Sequence, residues 1–207
     1  MAINRTIFTA DRTAQKSEIL AWLQANATDY FSGGISTDES GNIICVMSNS
    51  AELSFIFDET NAIYKIKTKT GNTYSIVGSS TLKYTKAGIV TSNGIMLIGA
   101  GTSNIDNILI ISKTSENKPC ISGQVKTSSS ASSFNNCFID LENDSDWLSN
   151  SVQKYLTSIT SLSPVCFACG TYCEHVFLTP FTQFESTCIM QINSKKYAYG
   201  GYLALEE

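Results

Sequence analysis

Ile108-Leu109-Ile110-Ile111 is the stretch that decides the fold. Successive side chains of a strand point to opposite sides of its sheet. Four apolar residues in a row therefore leave no polar face, and such a strand belongs at the centre of a sheet with both faces covered. The neighbouring segments agree. Gly88–Val90 and Ile95–Ile98 precede it, separated by Asn93-Gly94, a hairpin-turn dipeptide. Pro119–Val125 and Cys137–Leu141 follow as further strands, joined by Thr127–Ser133, whose near-pure Ser composition reads as a surface loop.

The chain before this cluster is also strand-rich. Asn42–Met47, Leu53–Phe57, Ala62–Thr68, Thr73–Val77 and Thr81–Thr85 are apolar or β-branched segments, several bounded by Gly, Asn, Asp or Ser. Thr70-Gly71-Asn72 supplies a turn, making residues 62–77 a hairpin. Residues 13–31 have a different period. Ile19, Leu20, Leu23, Ala27 and Tyr30 or Phe31 recur at helical spacing, with Trp22 beside the stripe and Gly33-Gly34 as the stop. A second, shorter helix is expected over 144–157, from the acidic start Asp144-Ser145-Asp146 and the spacing of Trp147, Leu148, Val152, Tyr155 and Leu156. The end of the chain returns to strands at Thr171–Leu178, Thr187–Asn193 and Tyr197–Leu205, the last two joined by a turn at Asn193-Ser194-Lys195. The expected fold is mainly β (α+β): an antiparallel β-sandwich-like body with an N-terminal amphipathic helix and one short later helix. Residues 1–34 form a helical segment packing on the body or on a partner, and residues 35–207 form the β-rich domain.

Composition narrows the function. The chain has 207 residues, a formal net charge of -4 and only 15% charged residues, against about 25% in ordinary proteins. Ser, Thr and Asn replace the missing charge, at roughly a third of the chain. Hydrophobic residues at 43% exclude intrinsic disorder. The acidic balance argues against nucleic-acid binding by bulk electrostatics. No apolar run reaches the roughly 20 residues of a membrane-spanning helix, and Arg5 and Arg12 interrupt the start before any signal-peptide core. Synthesis in a cytosol is the expectation. Seven Cys at irregular spacing then read as reduced thiols serving as small hydrophobes.

Some groupings invite chemistry. Cys166, Cys169, Cys173 and His175 place four soft ligands within ten residues, the set a tetrahedral zinc needs. Buried thiols beside a hydrogen-bonded His are the plainer reading. His175 is the only His, so every Cys–His nucleophilic pair must use it. No G-x-S-x-G or P-loop is present. Gly99-Ala100-Gly101 lacks both the third Gly and the following helix of a dinucleotide site, and reads as a connecting loop. Residues 140–146 are oxygen-rich but lack the central Gly and distal Glu of a calcium loop. Tyr197, Tyr199 and Tyr202 alternate with other residues near the C-terminus, as cross-strand packing or as a stacking platform.

The pattern Tyr172-x-Glu174-His175-Val176-Phe177 followed by Ile192-Asn193-Ser194-Lys195-Lys196-Tyr197, Gly201 and Leu203-Ala204-Leu205 resembles the end of structural proteins encoded beside head and tail genes in phages of Gram-positive gut bacteria. The resemblance covers about the last 35 residues and implies a virion component, head- or tail-associated, with no catalytic residue to carry over. The expected function is then a non-enzymatic structural component of a phage-like particle, made in the bacterial host cytoplasm and assembling through symmetric contacts. Its partners would be copies of itself and other virion structural proteins, with no cofactor, and a host-surface glycan as a further ligand. Ile19, Trp22, Leu23, Tyr197 and Tyr202 are the interface candidates, Trp22 being the anchor because Trp is enriched at binding hot spots. A carbohydrate- or surface-binding module is the first alternative, and a Cys- or metal-dependent hydrolase the second.

Overall fold

The computed structural model describes residues 3–8, 12–47, 50–57, 62–67, 73–77, 85–100, 105–126, 134–140, 145–146, 161–166 and 172–207. The chain opens with strand β1 (Asn4–Ile7) and helix α1 (Arg12–Asn26). A five-stranded meander follows: β2 (Gly34–Thr37), β3 (Ile43–Val46), β4 (Glu52–Phe57), β5 (Ala62–Lys67) and β6 (Thr73–Val77). The next six strands are β7 (Thr85–Val90), β8 (Ile95–Ala100), β9 (Ile105–Lys113), β10 (Pro119–Lys126), β11 (Phe134–Asp140) and β12 (Ser145–Asp146). With β1 on the outside of β7 they make a seven-stranded sheet. A three-stranded sheet of β13 (Ser163–Cys166), β14 (Tyr172–Ile192) and β15 (Lys195–Glu206) completes the chain. Every pairing between these strands is antiparallel. The protein is mainly β, with one helix among the described residues.

The Ile108–Ile111 run is central and covered on both sides. Leu109 and Ile111 face a core shared with Ile95 and Leu97 of β8, Ile121 of β10, the stripe of α1, and Ile43, Cys45, Leu53 and Phe55 of the meander. Ile108 and Ile110 face the opposite way, into a core with Met96, Ile98, Cys120, Cys173, Val176, Leu178, Leu203 and Leu205. The pairing keeps each set together, with Leu97 opposite Leu109 and Met96 opposite Ile110. The seven-stranded sheet thus forms the middle of the molecule. Helix α1 and the meander lie on one face, and the three-stranded sheet on the other. Each fully buried Leu or Ile contributes about 1.5–3 kcal/mol by leaving water.

Several sequence expectations shift in detail. The helix ends at Asn26, not near residue 31, because Asn26 turns its Nδ2 back onto the Trp22 carbonyl at 2.8 Å and Thr28 and Asp29 are poor helix formers. The first hairpin of the central sheet turns at Ser92-Asn93, with Thr91 N–H bonded to the Gly94 carbonyl at 2.9 Å. Gly94 instead lies where strands meet closely, since a Cβ there would sit 2.7 Å from the Ile111 carbonyl oxygen. Gly99 and Ala100, expected in a loop, end β8. Strand β1 was not expected: it extends the central sheet from within residues 1–34, whose helix packs on the body. Ser145-Asp146, expected to start a helix, form the short strand β12 opposite Ile139 and Asp140. The rest of the expected helix 144–157, the loop 127–133 and the turn 70–72 lie outside the described residues.

Candidate functional site

The C-terminal hairpin is where the chemistry-bearing side chains gather. Strands β14 and β15 begin in register at Val176–Leu205 and Leu178–Leu203. β14 then advances five positions, from 178 to 183, while β15 advances two, from 203 to 201, and the same slip recurs between Gln183 and Cys188. Bulges of this kind bend a hairpin strongly. Its tip accordingly returns to its own base. The rings of Phe177 and Tyr197 meet edge-to-face at 5.7 Å. Lys195 Nζ lies 2.6 Å from Glu206 Oε1, and Lys196 Nζ 3.8 Å from Glu207 Oε2. The Glu207 N–H donates to the Lys196 carbonyl at 2.8 Å. Asn193 and Ser194 close the tip with φ of 49° and 69°, the left-handed pair of a type I′ turn. Lys195 therefore belongs to the strand, opposite Ile192.

His175 joins this contact. Its Nδ1 is buried, has no hydrogen-bond partner among the described residues, and lies 3.7 Å from Glu206 Oε2. Its Nε2 is 3.9 Å from Glu174 Oε2. Glu206 is thus a nearly buried carboxylate between an ammonium and an imidazole. The hydrogen bond from Lys195, and then the charge of Glu206, raise the Lys195 pKa above its ordinary value. Burial, and then Glu206, raise that of the Tyr197 phenol. The arrangement works as a clasp that holds the hairpin tip on its base.

A second cluster lies deeper. Cys120 of β10 and Cys173 of β14 place their sulfurs 3.4 Å apart. Ser112 Oγ is 3.3 Å from the Cys120 sulfur and Ser122 Oγ 3.5 Å from that of Cys173. All four residues are fully buried.

Of the four candidate zinc ligands, the two with described side chains, Cys173 and His175, face different groups. Cys173 turns into the core toward Cys120, while His175 turns to Glu206. Cys166 lies on β13 with its backbone opposite Tyr172, and Cys169 lies outside the described residues. No group of three or more metal-ligating side chains occurs among the described residues. The sequence places Cys173 and His175 two apart on a strand. It does not reveal that Cys173 faces Cys120 of β10 or that His175 faces Glu206 of β15. The sequence assigns no chemical role to Cys120, Ser112, Ser122, Lys195 or Glu206. The available signal was parity alone: Cys120 and Ser122 lie on the same face of β10.

The interface candidates resolve differently. Ile19, Trp22 and Leu23 are buried against the chain's own strands, so the stripe of α1 is a core face and not an open docking face. Tyr197 is 5% exposed and is not an open stacking ring. Tyr202 lies on β15, but its side chain is outside the described residues. Among the described residues the large apolar side chains in solvent are instead Ile7 on strand β1, 51% exposed, and Ile189 near the hairpin tip, 61% exposed. Among the described residues no helix is long and apolar enough to cross a membrane. No protein-family model, curated protein or solved structure matches the chain.

Proposed function

We propose that the chain is a non-enzymatic structural component of a phage-like particle. In this reading it acts in the virion and assembles with its own copies and with other virion structural proteins. The observation that carries the reading is the outer edge of β1. Among the described residues β1 pairs only with β7, and Asn4, Arg5 and Ile7 are exposed. An open edge is a template for pairing with another chain. Antiparallel pairing of two such edges about a two-fold axis is a self-complementary contact, with Ile7 supplying apolar area. A surface poor in charge favours such packing, because few ions need desolvation.

The glycan-binding alternative has less support, since Tyr197 is committed to Phe177. Negative-stain imaging of the expressed protein, alone and mixed with the virion proteins encoded beside it, tests the proposal. Regular assemblies are expected. Dispersed monomers under both conditions would overturn it.

A further inference from the structure

We infer that Cys120 and Cys173 are a disulfide-forming pair that covalently joins the three-stranded sheet to the central sheet once the chain meets a disulfide oxidant. Their sulfurs are 3.4 Å apart as thiols, and a disulfide needs about 2.05 Å. The closure is therefore about 1.4 Å, shared between two side chains by small χ1 rotations. The backbones are already held nearby. Thr114, at the end of the β9–β10 hairpin that carries Cys120, forms an isolated antiparallel bridge with Cys173 itself. The two cysteines are 53 residues apart, so their bond closes a long loop and strongly restricts the unfolded chain.

The surroundings suit both redox states. With thiols present, Ser112, Cys120, Cys173 and Ser122 form a continuous buried chain of donor–acceptor contacts. With the bond formed, each hydroxyl keeps a sulfur beside it. The reaction needs an external oxidant of the low-molecular-weight disulfide class, such as oxidised glutathione. One cysteine, as thiolate, attacks a sulfur of that disulfide, forming a mixed disulfide and releasing one small thiol. The second cysteine, as thiolate, then displaces the second small thiol and forms the Cys120–Cys173 bond. The two cysteines are oxidised and the small disulfide is reduced, and the two thiol protons leave on the released thiols. Both cysteines are fully buried, so the exchange takes place during folding or opening of the β14 segment, before the seam is sealed. The device leaves the protein unlinked under reducing conditions and locks it in an oxidising medium.

The test is refolding of the full chain in a glutathione redox buffer, followed by alkylation, intact mass and peptide mapping. The expected product has lost two hydrogens and yields a Cys120–Cys173 linked peptide. Its Tm is higher by roughly 5–15 °C, and a reductant reverses both changes. Cys120→Ser, and independently Cys173→Ala should the first variant fold poorly, lose the linked peptide and the Tm gain together. Free, alkylated Cys120 and Cys173 after refolding, or linkage of either one to another cysteine, would overturn the inference.

Discussion

The indole of Trp22 lies so close to Gly88 that an ideal Cβ on that glycine would fall 2.4 Å from Cζ2 and 2.5 Å from Cε2. Phe8 meets the same indole edge-to-face at 5.8 Å. Helix α1 is thus seated on β7 by an aromatic side chain for which the strand leaves no side chain of its own. Gly88→Ala is expected to cost about 3 kcal/mol, the upper part of the overpacking range, and Trp22→Ala about 3–5 kcal/mol. Because one contact underlies both, the double variant should lose clearly less than their sum. Urea unfolding of the three variants checks this.

Leu109 and Ile110 are sequence neighbours buried on opposite faces of the central sheet. Leu109→Ala and Ile110→Ala should each cost about 2–5 kcal/mol. If one face were open to water, its variant would change stability by less than about 0.5 kcal/mol. Denaturant midpoints at constant m-value distinguish the two outcomes.

This double burial was legible in the sequence because an unbroken apolar run on a strand has only one stable setting. The meander from β3 onward was legible for a related reason: Ile43, Cys45, Leu53 and Phe55 alternate with less buried residues and so mark a one-sided sheet, whereas β2 was not foreseen. Strand β1 was not. Asn4-Arg5-Thr6-Ile7 carries no apolar alternation, and it is extended because β7 offers its edge. The folded-back hairpin was not legible either, apart from the Gly200-Gly201 pair within β15. Its closing contacts, such as Lys195 with Glu206, are set by bulges whose position no local pattern encodes. The Cys120–Cys173 pair depends on two sheets meeting, so neither cysteine's neighbours could announce it.

Ser194 holds a φ of 69° at the second central position of the hairpin tip, a region that costs an L-residue about 1–2 kcal/mol. Ser194→Gly should stabilise the protein by about 1 kcal/mol, raising Tm by about 2–4 °C. Ser194→Val should lower it. Differential scanning calorimetry reads both directions.

Burial foremost, with Asp29 and then Cys120 adding to it, pushes the Tyr30 phenol up to about 12. Its folded-state pKa is thus raised above the ordinary value near 10. The associated stability is fully present below pH 10 and is lost as pH rises toward 12. In an ultraviolet titration Tyr30 should ionise about two units late, and Tyr30→Phe should remove that contribution while leaving the delay of Tyr197. Burial likewise holds the Cys45 thiol at about 12, so Cys45 should resist alkylation at pH 8 until the protein unfolds.

The proposed assembly runs through the outer edge of β1, which is open among the described residues. Sedimentation equilibrium of the wild type and of Ile7→Lys, over a wide concentration range, tests it most directly. The expected wild-type mass is two or more times 22.5 kDa, with a shift toward the single-chain mass in the variant, whose new charge blocks edge pairing. A wild type that stays at 22.5 kDa at every concentration, or an assembly that Ile7→Lys leaves intact, would contradict it.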